Sequence, residues 1–265
     1  MIRRLLYRSL VAFALCASAA VAASAQDFQR NYSLAPGATV RIKNVSGDVR
    51  IVGYDGSAVA VTAHKEGRDR EVVEVEDASG PGGVSLSVRY PRECNCNASV
   101  RFEVRVPRTL SLNFDKISTA SGNLSARGVT GTLRLTTASG DVTVENVSGR
   151  VEASSASGNV RVREAAGSVS ASSASGDVEA ELTRLEGAED MKFSSASGDV
   201  RVRMPQGLDA SVSLTTATGT VETDFPLEVK RNEYGPGMSA KGRLGGGARI
   251  LRISSASGSV SLKGI

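Results

Sequence analysis

The sequence predicts an all-β protein, a single-chain parallel β-helix (β-solenoid) with about 18 residues per coil and two strand–turn units in each coil. Three observations predict it. Glycine recurs every nine residues at 122, 131, 140, 149, 158, 167 and 176, then at 187, 198, 207 and 219 with short insertions. Leu or Val follows each of the first seven glycines by two residues, with another apolar or small residue mostly two beyond, as in Leu124 and Ala126, Leu133 and Leu135, and Val142 and Val144. The fuller word, a Ser/Thr pair followed by Ala-Ser-Gly-Asp/Asn-Val, returns strictly at 18, as in Thr136–Val142 and Ser154–Val160. A spacing of two is strand alternation, and Gly-Asp or Gly-Asn is turn chemistry. A glycine every nine residues would break any helix. Nine residues therefore make a strand and a turn, and eighteen make a full circuit. The general preference for right-handed parallel crossovers sets the expected hand.

Residues 1–25 read as a secretory signal peptide: Arg3, Arg4 and Arg8, an apolar run from Leu10 to Ala22, then Ala23-Ser24-Ala25. The run is about 13 residues, short of the roughly 20 that span a bilayer, so no transmembrane segment is expected in the mature chain. Leu15 before Cys16 disfavours lipoprotein processing, and the Leu-Leu-Tyr after Arg3-Arg4 fits a twin-arginine route poorly. Residues 26–265 read as one β-solenoid domain. Within it, 38–65 is a first coil carrying Gly47-Asp48-Val49 and Gly56; 66–110 holds irregular strands, Val84 to Val88 and Val100 to Val106, joined by a cysteine loop. The regular repeats occupy 111–223. Gly235-Pro236-Gly237 and Gly245-Gly246-Gly247 mark 224–247 as a loop excursion, and 248–265, with Ser257-Gly258-Ser259-Val260, as a closing coil. Such a stack needs covered ends, and the flanking segments are the candidates.

If side chains 18 apart are lateral neighbours, Arg127, Glu145, Arg163, Glu181 and, after four inserted residues, Arg203 form a charge ladder of alternating sign with rungs about 4.8 Å apart. Arg161, Glu179 and Arg201 form another. Ser118, Thr136, Ser154 and Ser172 line the opposite side. Valines 142, 160, 178 and 200 form an inward column, each contributing roughly 1.5–3 kcal/mol when covered, and alanines 138, 156 and 174 are read as inward, giving a thin interior. Asp48, Asn123, Asp141, Asn159, Asp177 and Asp199 line one edge as a turn ladder. Calcium-binding nonapeptide solenoids also carry aspartate rows, but they use a Gly-Gly-x-Gly-x-Asp word that surrounds each ion with oxygens. Here each coil offers about one carboxylate, so turn formation is the expected role and neither metal nor cofactor is.

Removing the signal leaves 29 basic against 28 acidic side chains, a net of +1. With no Trp and few aromatics, nothing points to nucleic acid as a partner. Cys94 and Cys96 are a possible disulfide clip in an oxidising compartment, with free thiols, a bridge to another chain, or a redox or metal role as alternatives. His64 is the sole histidine, so a zinc site lacks ligands. Enzymatic parallel β-helices use carboxylates on polysaccharides, but almost every acid in the repeats has a place in a turn or a ladder, and no nucleophile is marked out beside His64.

The mature chain, over about residues 31 to 265, resembles the bacterial candidate-adhesin family known as domain-of-unknown-function family 4097. The likeness lies in Val45-Ser46-Gly47-Asp48-Val49 followed by Val52-Gly53-Tyr54-Asp55-Gly56, in Val106-Pro107 ahead of the repeats, in the recurrent Ala-Ser-Gly-Asp-Val words, and in the ending from Gly245-Gly246-Gly247 to Ser257-Gly258. The resemblance implies a single β-helical domain at the bacterial envelope, with an adhesive role and no catalytic residues to carry over. The expected protein is exported to the periplasm or cell surface, is not an enzyme, and binds an unidentified envelope protein or glycan surface. The alternative is an envelope-stress sensor or regulatory partner that makes contact through its irregular ends.

Overall fold

The structure, a computed structural model, describes residues 28–231 and 235–265; the expected signal peptide lies outside them. In chain order the strands are β1 (Phe28–Tyr32), β2 (Thr39–Lys43), β3 (Val49–Tyr54), β4 (Val59–Glu66), β5 (Glu74–Asp77), β6 (Gly83–Arg89) and β7 (Ser99–Pro107). The repeats supply β8 (Ser111–Ser121), β9 (Leu124–Arg127), β10 (Thr130–Ser139), β11 (Val142–Ser148), β12 (Val151–Ser157), β13 (Val160–Ala166), β14 (Val169–Ser175), β15 (Val178–Arg184), β16 (Met191–Ser195) and β17 (Val200–Met204). Then follow β18 (Ala210–Thr216), β19 (Val221–Thr223), β20 (Glu228–Arg231), β21 (Met238–Leu244), β22 (Ile250–Ser255) and β23 (Val260–Gly264).

The strands stack as coils with two faces. One face runs β6-β2-β8-β10-β12-β14-β16-β22-β18, every neighbouring pair parallel. The other runs β7-β3-β9-β11-β13-β15-β17-β23-β19, again all parallel. Val142, Val160, Val178, Val200 and Val260 fall in one register column and are completely buried. This is the β-solenoid that the 18-residue repeat predicts.

Two readings of the interior and the ends are corrected. Ala138, Ala156 and Ala174 face outward, and the residue before each, Thr137, Ser155 and Ser173, points in. The alternation that begins at Val151 and Ala153 places Ser155 inside, and its hydroxyl finds a backbone partner there. Residues 248–265 do not close the stack. Their strands β22 and β23 lie between the coil of β16 and β17 and the coil of β18 and β19. Likewise β2 and β3, read as the first coil, lie one coil in, beneath β6 and β7. At each end an outer coil is thus held by a neighbour remote in sequence.

Antiparallel strands then pair with the outer coils: β5 on β6, β4 on β7 and β1 on β4 at one end, and β21 on β18 with β20 on β21 at the other, where β19 pairs with β23 alone among the described strands. The expected loop excursion at 224–247 is therefore partly an antiparallel pair. Where they pair, reversing direction covers parallel edges that would otherwise accept further chains.

At the first end a single carboxylate ties the two faces together. Arg30 and Tyr32 of β1 both donate to Asp77 Oδ2 on β5, at 2.5 and 2.8 Å, and the Asp77 side chain is only 8% exposed. Burial pushes the Asp77 carboxyl up, but bonds from the Ser79 hydroxyl and N–H and from Tyr32, with the positive charge of Arg30, outweigh it and hold the group below the usual carboxylate range. Burial and the bond to Asp77 push the Tyr32 phenol up to about 12, so it stays a donor. Asp77→Asn is expected to cost about 1.5–3 kcal/mol at neutral pH. Because the folded carboxyl titrates below its unfolded value, this contribution is complete above about pH 4 and is lost as pH falls through the lower, folded value. Urea midpoints of the two proteins should therefore converge in acid.

Candidate functional site

The repeated word builds one corner of each coil from three interlocking rows. The first is glycine. A Cβ on Gly122, Gly140, Gly158 or Gly176 would lie 2.1–2.3 Å from the carbonyl oxygen of the glycine one coil earlier, so the backbones meet where no side chain fits. The second row satisfies those carbonyls. Thr119, Thr137, Ser155, Ser173, Ser195, Ser255 and Thr216, all buried, donate to Gly47, Gly122, Gly140, Gly158, Gly176, Gly198 and Gly258 at 2.7–3.2 Å. Ser173→Ala leaves the Gly158 carbonyl unpaired and is expected to cost about 1–3 kcal/mol. Ser172→Ala, one residue earlier on the outer surface, should stay within about 0.5 kcal/mol by the same thermal melt.

The third row is the turn ladder. Oδ1 of Asp48, Asn123, Asp141, Asn159 and Asp177 each accepts the backbone N–H of the next member, and Asp199 accepts that of Ser259, all at 2.8–2.9 Å. The residues are thus inter-coil acceptors as well as turn formers. Asp and Asn alternate along the row until Asp177 and Asp199 become neighbours. There Arg201 bridges both carboxylates, at 3.2 and 2.5 Å.

The face of β9, β11, β13, β15, β17 and β23 carries the charge ladder. Arg127 meets Glu145 at 3.7 Å, and Glu145 stands in register with Arg163. The next rung departs from the expected pattern. Asn146 and Glu164 take the same positive φ, +50° and +52°, and keep β11 and β13 in register, but β15 pairs Leu182 with Ala165, so the register shifts there and Arg163 reaches Glu179 at 3.5 Å. Glu181 takes Arg203 at 3.6 Å. Near the first end, a groove of about 670 Å³ is lined by Arg50, Arg101 and Arg127 with Glu66 and Glu145. Glu66 is bonded to Arg101, and His64 lies opposite Arg101 on β4. Cys94 and Cys96 face one another in the loop before β7 with Cα atoms 5.1 Å apart, within disulfide range.

The other face carries hydroxyls. Ser118, Thr136, Ser154, Ser172, Ser194, Ser254 and Thr215 stand in one register row, the Ser154 hydroxyl donating to Thr136 Oγ1 at 3.2 Å. Beside it runs Arg134, Glu152, Ser170, Lys192 and Arg252. A bond from Arg134 holds the Glu152 carboxyl below its usual range despite partial burial, and Arg150 adds to the effect. Ser170 breaks the row of long side chains, and a groove of about 290 Å³ opens there between Arg134 and Lys192. The sequence reading singled out the hydroxyl row but not this groove. Its signal is one short residue, Ser170, between the Glu152 and Lys192 of the adjoining coils.

These features define a two-faced β-solenoid with antiparallel strands at both ends, a protein built of long surfaces. The chain belongs to the Toastrack DUF4097 family, whose profile matches residues 39–263. No curated protein matches the sequence. Among solved structures, a candidate adhesin from Bacteroides fragilis is 15% identical with a TM-score of 0.44, over 90% of this chain and 96% of that one. A candidate cell adhesion protein from Clostridium sporogenes is 12% identical with a TM-score of 0.34, over 90% and 99%. No helix among the described residues is long and apolar enough to cross a membrane.

Proposed function

We propose that this is an exported, non-enzymatic β-solenoid whose work is to bind another surface or envelope component, as an adhesin or scaffold. One observation carries the reading: coils stacked in register display two long regular faces, and antiparallel strands pair with both strands of the outer coil at one end and with β18 at the other. Ends paired in this way favour a finite plate over a growing fibre. Most acids of the charged face are engaged in holding the plate together or balancing it, as with Asp177, Asp199, Glu145 and Glu181. In an oxidising envelope compartment Cys94 and Cys96 close as a disulfide.

Labelled intact protein should bind isolated cell envelopes saturably, and the unlabelled protein should compete. Cell fractionation should place the chain, processed before Gln26, outside the inner membrane. Absence of saturable binding, or release of sugar from a polysaccharide panel, contradicts the reading.

A further inference from the structure

Apart from Lys192 and Arg252, like charges stacked in register have counter-ions; on the hydroxyl face Arg41, in register with Lys116, keeps Asp115 at 2.8 Å. On the charged face, each directly stacked like pair has counter-ions: Arg201 bridges Asp177 and Asp199, while Arg203 and Lys263, also in register, keep Glu181 and Glu222 respectively. On the hydroxyl face Lys192 and Arg252 stand in register on adjacent strands, both exposed, and neither has a carboxylate partner among the described residues. Asp190, two residues before Lys192, accepts the Ile250 N–H and forms no ion pair with either cation. Like charges directly opposite one another repel at a rung of about 4.8 Å, so the pair is an open demand for an anion. Next to it lies the groove over Ser170, bordered by the hydroxyls of Ser154, Ser172 and Ser194 and by Glu152, whose carboxylate is balanced by Arg134 and Arg150.

Resting on the surface-binding reading above, we infer that the Lys192–Arg252 pair and the adjoining Ser170 groove bind an acidic polysaccharide, its carboxylates on the two cations and its ring hydroxyls on the serine row. The rungs repeat at about the length of one pyranose ring, so a chain lying along the stack meets a hydroxyl at each step. An anionic membrane is the less suited partner. Interfacial binding needs a set of apolar side chains to insert, whereas the hydroxyl row offers serines and threonines and the exposed Ile250 beside Arg252 is a single apolar residue. Single-stranded nucleic acid would need aromatic stacking platforms, which the hydroxyl row also lacks.

The experiment uses alginate as the uronic-acid polymer, dextran as its neutral control, and vesicles of phosphatidylglycerol. The intact protein should bind alginate, and weaken as salt rises. It should ignore dextran and bind the vesicles much less. Lys192→Ser/Arg252→Ser, which places in this row the residue already present at 170 and 213, should weaken alginate binding by about tenfold or more. Arg163→Ser/Arg203→Ser on the opposite face should leave it unchanged. Circular dichroism and melting temperature confirm that both double variants fold. The inference is overturned if alginate does not bind, if both double variants weaken it equally, or if vesicles bind as tightly through the same two cations. Saturable envelope binding by a protein that ignores alginate would overturn this assignment alone and leave the surface-binding function standing.

Discussion

Replacing Gly140 by alanine should destabilise the protein by roughly 2–6 kcal/mol, combining backbone strain with overpacking against a neighbour that cannot yield. The residue has a φ of +147°, and a Cβ would lie 2.1 Å from the Gly122 oxygen and 2.6 Å from its carbonyl carbon. Both are backbone atoms of a coil fixed by its own ladder, so relief requires two coils to separate. That oxygen also accepts the Thr137 hydroxyl at 3.0 Å, and moving it weakens this bond as well. Gly187→Ala supplies the control. Its φ is +74°, yet nothing lies within 4 Å of the added Cβ. Only the left-handed backbone is penalised there, by about 1–2 kcal/mol. Equal losses for the two variants in urea denaturation would show that conformation alone, and not coil contact, selects glycine at these corners.

The repeat was legible because every level of it has a physical period. Glycine at nine marks the corners, Leu or Val two residues later marks the strand, and Ser-Ala-Ser-Gly-Asp at 18 marks a side chain with a lateral neighbour. From those periods the stack of Val142, Val160 and Val178 and the contact of Arg127 with Glu145 follow directly. The order of coils at the ends does not follow. Ser46-Gly47-Asp48-Val49 and Ser257-Gly258-Ser259-Val260 offer the same corner chemistry as any middle coil, so the words say that a coil forms and not which coil it lies on.

Ala156 faces outward, against expectation, for a different reason. Hydropathy alone puts alanine inside, but the Gly140 carbonyl faces the interior and needs a donor, so the hydroxyl goes in. The register shift between β13 and β15 has no marker in the repeat, since Arg163 and Glu181 are 18 apart and look correctly spaced. For the Lys192–Arg252 pair, 60 residues of sequence separate two strands that are neighbours in space, and only the inserted order of β22 reveals it.

Phe193→Ala is the substitution expected to cost most in the interior, about 3–5 kcal/mol. The inward column on the hydroxyl side reads Leu135, Ala153, Ala171, Phe193 and Ile253 from coil to coil, and on the facing side Ala180 lies on the same coil as Ala171. Two small layers are therefore followed by the fully buried Phe193, the pairing of small with large that fills a core to native density. Truncating the ring leaves a void between the repeats and the last coils, because Ala171, in register on the preceding coil, is too small to close the gap. In a solenoid each coil is stabilised by its neighbours, so the loss concentrates at one boundary. Among the strand pairings of the described residues, the coil of β16 and β17 links the preceding repeats to the parallel strands β22 and β23, which in turn hold β18 and β19. Hydrogen exchange should accordingly lose protection first from residues 191–264 while 124–184 stays protected, and urea denaturation should broaden or split. A loss below about 1 kcal/mol, or uniform loss of protection along the chain, would show that the stack unfolds as one unit and that Phe193 does not bridge its two parts.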